Sequence, residues 1–150
     1  MAGLGRRLVG GIGIVEGRGG GGAEVSLADL AVLQGCWEQV LLEADGVADP
    51  PDEHSAAGAL LFISGNGFCV RKESGEVLLE GVFELDAGVC PKAITWIDSI
   101  GADAGKRLPA SYLLEGDRFL FIAADEGAAR PTAFRTVVGL TMRGFVRVRR

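Results

Sequence analysis

The rhythm of polar and apolar positions changes near Gly35. Upstream, "SLADLAVL" places Leu27, Leu30, Ala31 and Leu33 at the three-to-four-residue spacing of a helix face. Ser26 serves as N-cap, Asp29 takes the third position of a capping box, and Gly35 is the stop. This predicts one helix of about two turns, from Ser26 onward. Downstream the period drops to two. In "VLLEGVFEL", Val77, Leu79, Gly81, Phe83 and Leu85 share one face and Glu80 and Glu84 the other, as in a sheet buried on one side only.

Strands are expected over residues 36–43, 58–64, 68–72, 76–85, 93–99, 111–115 and 118–123, with a terminal pair around 134–140 and 145–149. The segments "SGNG" (64–67), "ESGE" (73–76), "EGD" (115–117) and "TMRG" (141–144) read as tight turns, because Gly and Asn accept the positive φ that hairpins require. Consecutive hairpins give an antiparallel meander, and a meander with one apolar face must close or stack. The fold class expected is all-β: an up-and-down barrel of about eight strands with one short N-terminal helix. Closure removes exposed edges and leaves room for one small ligand; a two-sheet sandwich is the alternative.

At 150 residues and 48% apolar composition, the chain makes one domain with a substantial core. Ten of the 24 glycines fall within the first 22 residues, which separates an expected flexible leader, 1–22, from a barrel domain, 23–150. The net charge of −5 is uneven. The leader holds three Arg and one Glu, and the stretch from Arg135 holds five Arg and no acid, so the body between them is strongly acidic. Such a body repels a phosphate backbone, which argues against a nucleic-acid partner. The arginines of "RGFVRVRR" alternate with apolar residues and read as the solvated face of a strand. Cys36, Cys69 and Cys90 form no CxxC pair, so reduced thiols in a cytoplasmic protein are expected. "LVGGIGIV" is short, glycine-broken and not followed by a small-residue cleavage site, and no segment approaches the roughly 20 apolar residues of a membrane helix. No membrane partner is expected; self-association into a homo-oligomer is left open.

The glycine-rich opening invites comparison with a phosphate-binding loop. Gly11 and Gly13 are in place, but Glu16 stands where the third glycine of a dinucleotide fingerprint belongs, and no helix is expected directly after it. A Walker motif fails for want of Gly-Lys-Ser/Thr, and one histidine makes a metal site improbable, so no cofactor or metal is expected. Acid–base candidates are Asp98, Asp86, Glu80, Tyr112 and His54. His54 lies in the Pro- and acid-rich "ADPPDEHSAAG" and reads as solvated. Asp98 either points to water or joins Trp96 inside the barrel, and water is favoured. Cys36 and Cys69 sit in strand patterns and read as small hydrophobes; Cys90, before Pro91, reads as exposed.

Six segments in order, "LQGCW" (33–37), "EADG" (43–46), "GVFELD" (81–86), "PKAITW" (91–96), "GKRLPASYLLEGD" (105–117) and "RPTAF" (130–134), resemble the uncharacterised lipocalin-like domain family first described as abundant in planctomycetes. The resemblance covers roughly residues 33–150 and implies a bacterial source and an antiparallel barrel. Cys36 departs from the family's more common Thr, and Ala110-Ser111 from its Gly-Ile. No catalytic residue carries over, since fold does not imply function. As in lipocalins generally, Gly35-Cys36-Trp37 would turn sharply and plug one barrel end, with Arg147 or Arg149 over the Trp37 ring. Ligand would then enter from the opposite end. The leading function is binding of a small, mostly apolar molecule in a cavity lined by Phe83, Trp96, Tyr112, Phe119 and Phe121. A cofactor-free cyclase or isomerase acting on an apolar substrate, with the leader as lid, is the second reading; a protein-interaction module is the third.

Overall fold

The computed structural model describes residues 20–49 and 58–149. Helix α1 (Gly20–Leu33) leads into β1 (Gly35–Ala44), β2 (Val47–Ala48), β3 (Leu60–Ser64), β4 (Gly67–Arg71), β5 (Val77–Asp86), β6 (Lys92–Asp98), β7 (Arg107–Glu115), β8 (Arg118–Ala123) and β9 (Thr141–Arg147). From β3 to β9 each strand pairs antiparallel with the next. β1 pairs with β3 on one edge and with β9 on the other, from Trp37↔Arg147 to Ala44↔Thr141. That last ladder closes eight strands into a barrel, and β2 is a two-residue addition beside the far end of β1. The chain is an all-β barrel preceded by one helix.

The period-two pattern decides what faces inward. Phe83 and Leu85 of β5, Ile94 and Trp96 of β6, Ala110 and Tyr112 of β7, and Phe119 and Phe121 of β8 are buried in one continuous cluster. The hairpins at "SGNG" and "EGD" form as the turn chemistry requires, with Ser64 opposite Gly67 and Glu115 opposite Arg118.

Three expectations need correction. The helix starts at Gly20, within the glycine stretch, so Ser26 is an interior residue and not an N-cap. Its hydroxyl donates to Gly22 O and accepts from Ala87 N–H, tying α1 to the β5–β6 turn. The fit there is tight: a Cβ on Gly88 would stand 2.9 Å from Gly22 Cα. Residues 134–140 form no strand, and "TMRG" is the start of β9 instead of a turn. The barrel is complete with eight strands, so the β8–β9 connection wraps over the outside. Arg130 pins it by donating to Ile94 O (2.9 Å), Ala110 O (2.7 Å) and Thr95 Oγ1 (3.0 Å). Ser111 Oγ donates to Pro131 O, and Thr136 Oγ1 to Glu43 Oε2. This strap explains why Ser111 and Ile122, on the outer face, are fully buried.

The third correction concerns the arginines. Arg143 and Arg147 share the inward face of β9 with Phe145 and are half-buried, whereas Arg149 is exposed as expected. As the resemblance implied, Arg147 lies over the Trp37 ring at 4.3 Å, and it donates to the carbonyls of Gln34 (2.9 Å), just past α1, and of Val32 in its last turn. Trp37 Nε1 donates to Leu33 O at 2.8 Å. Between them Gly35 turns the chain at φ +115°, which a side chain would resist. Helix and strand are locked across one end of the barrel. Replacing Arg147 by Met should lower unfolding free energy by about 2–3 kcal/mol in urea melts, since a cation–π contact and charge-assisted bonds to helix carbonyls are lost together. Lys should recover less than half of it, because an ammonium cannot stack and fork at once. A loss under about 0.5 kcal/mol for Met would contradict this role.

Candidate functional site

Of the five aromatic residues expected to line a cavity, four pack as solid core. Phe83, Trp96, Tyr112 and Phe119 are at most 1% exposed. Trp96 is the hub, with Phe121, Phe68 and Phe83 at 4.8, 5.2 and 5.4 Å between ring centroids. Phe145 stacks on Phe119 and Phe121, and Phe119 also tilts against Trp37. These rings fill the barrel from the helix-plugged end to its middle.

Open space lies at the other end. A cavity of about 220 Å³ is lined by Leu79 of β5, Asp98 of β6, Leu108 of β7, Phe121 and Ala123 of β8, and Thr141 and Arg143 of β9. The connections at 101–103 and 124–125 form its rim. Phe121 therefore belongs to both core and cavity, as floor of one and roof of the other. Asp98, expected to point to water, is 2% exposed. The alternation Ile94, Trp96, Asp98 carries it inward, and it is tolerated because β6 ends there, at the cavity wall. Arg143 Nη1 donates to Oε1 of Gln39, itself buried, at 3.2 Å. The mouth thus joins an apolar floor to a carboxylate and a guanidinium.

The other candidates are scattered. Tyr112 sits at the plugged end, where its hydroxyl donates to Asp29 Oδ2 at 2.7 Å and Lys92 pairs with the same oxygen at 2.9 Å. Asp86 Oδ1 accepts from Gly88 N–H. Glu80 is exposed on the outer wall, and His54 lies outside the described residues. Cys90 is exposed, as expected; Cys36 and Cys69 are half-buried, and no disulfide links the three. Two wider depressions, about 530 and 620 Å³, lie on the outer wall. The first surrounds Arg107, paired with Glu84, and Arg130, whose guanidinium is lowered from its ordinary value by burial and by Arg107. Arg130 spends its hydrogen bonds on the strap, so this depression reads as the margin of a structural clamp. Among the described residues no group of three His, Cys, Asp or Glu could hold a metal ion, and no helix is long and apolar enough to cross a membrane.

Leu79, Leu108 and Arg143 were not legible as cavity residues. The signal existed in "TMRGFVR", where Thr141, Arg143, Phe145 and Arg147 share a face, but a turn reading of its first four residues concealed it. The geometry defines a closed antiparallel barrel with one end plugged and a cavity at the other. No family model matches the chain, and neither does any curated protein or solved structure.

Tyr112 reports on the plugged end because it is the chain's one tyrosine. Burial, and then its bond to Asp29, push its phenol far above the ordinary value near 10. The folded state therefore holds a proton that the unfolded state releases, and stability is lost as pH rises above about 10. Titration by tyrosinate absorbance should show no ionisation in the native protein near pH 10.5, and ionisation only together with unfolding. A free titration near pH 10 with the fold intact would refute the burial-locked phenol.

Proposed function

We propose that this protein binds one small, mostly apolar molecule in the mouth of its barrel, at the end opposite α1. The observation that carries this reading is the cavity of about 220 Å³ above Phe121 and Leu108, with the far end closed by Trp37 and Arg147. Its volume equals about seven waters of liquid, which sets the scale of the ligand. The apolar floor supplies affinity, while Asp98, Thr141 and Arg143 orient a polar edge. The likeness of "LQGCW" and the five segments after it to the lipocalin-like family is part of the same proposal, and so is a cytoplasmic location. The wall residues also keep a second reading in view. A carboxylate and a guanidinium beside an apolar floor are what a cofactor-free isomerase uses to hold and polarise its substrate; Asp98→Asn would then abolish turnover and leave binding in place.

Thermal-shift screening against a panel of small hydrophobic compounds should find members that raise the melting temperature in proportion to occupancy. Ala123→Leu, which fills the mouth from β8, should weaken that stabilisation by about tenfold in apparent affinity. A panel without a single stabilising member, or stabilisation indifferent to Ala123→Leu, would sink the proposal.

A further inference from the structure

The Trp96 indole poses a problem that the mouth cavity solves. Trp96 is fully buried, yet its Nε1 has no hydrogen-bond acceptor. Trp37, equally buried, satisfies its own Nε1 on Leu33 O. A buried unpaired donor costs about 1–3 kcal/mol, and native proteins keep few of them. The rings of Phe68, Phe83, Phe119 and Phe121 pack against the indole.

Position suggests what answers the donor. Trp96 and Asp98 lie on one face of β6, two residues and hence about 7 Å apart. Asp98 forms the cavity wall, so Trp96 occupies the next layer down. It is covered from the mouth by Phe121 and by Leu108, its partner across β7, and both line the cavity. Trp96 itself lies one side chain below the cavity floor. We infer that the ligand carries a neutral hydrogen-bond acceptor, a ketone, ester or ether oxygen, at its leading end, and that this oxygen accepts from Trp96 Nε1 once Phe121 gives way. A charged carboxylate is excluded from so apolar a layer by its desolvation cost. A site with an unpaired donor discriminates by chemistry, since an analogue without the acceptor leaves the penalty in place. The inference rests on the mouth being the ligand site.

Acetophenone and cumene, matched in shape and differing in the carbonyl, test it. In the wild-type protein acetophenone should move the Trp96 indole proton resonance downfield and leave that of Trp37 unmoved, and cumene should produce no such downfield shift. Trp96→Phe should weaken acetophenone about fivefold and leave cumene within about twofold, a double difference that cancels the unequal hydrophobicity of the two probes. Binding of both probes without the Trp96 shift, or equal effects of Trp96→Phe on both, overturns the inference and leaves the mouth site standing. Failure of both probes to bind removes the mouth site and the inference together. The wild-type spectra decide the matter even where Trp96→Phe does not fold.

Discussion

The contact of Arg147 with Trp37 and with the last carbonyls of α1 gives this barrel its polarity, because it joins the last strand, the first strand and the helix at a single guanidinium. Asp117, at the β7–β8 turn, holds the same side chain from outside at 2.9 Å. Remove the cation and three segments lose their common anchor, the helix terminus loses the positive charge its dipole favours, and a second opening appears. With it in place the barrel has one mouth.

The helix shows how much of its stability is borrowed. It has no acidic residue in its first turn and no basic residue in its last, and its apolar residues are spread around the axis. Val25, Leu27 and Val32 remain exposed. Isolated helices of this length are marginal; α1 persists because its polar side chains are used by the barrel. Ser26 reaches the β5–β6 turn, and Asp29 bridges Tyr112 of β7 and Lys92 of β6. Arg130 does the analogous work on the outer wall, where its three bonds hold the β8–β9 strap over β6 and β7.

The strands were legible because alternation and turn chemistry are local. β5 reads directly from its glutamates, and the Gly-containing turns mark the ends of β3, β4, β7 and β8. What escaped depends on neighbours far away in the chain. Gly20 to Gly22 are poor helix formers on their own, but Gly22 is held against Gly88. Val137 and Val138 look like strand residues, yet no edge was left for them to join, and they stand exposed on the strap. The solvated-face reading failed at Arg147 because carbonyls, and the Trp37 ring that the resemblance implied as its partner, met its needs inside. For the candidate site, alternation gives the face of a residue but not its height in the barrel. Five inward aromatic residues were identified, and only the assembled barrel separates Phe121, which lines the mouth cavity, from Phe83 and Tyr112, which do not.

The ladder between β1 and β9 spans almost the whole described chain, pairing Trp37 with Arg147. Closure is therefore the least local event in the molecule, of the kind that slows folding. Until Thr141–Arg147 has been synthesised, the ring stands open with the bare edges of β1 and β8 facing solvent, each a row of unpaired N–H and C=O groups inviting another chain. A nascent or truncated form that stops short of Thr141 is thus a double-edged sheet, built to pair with its own kind, and chaperone protection during synthesis matters most in that interval.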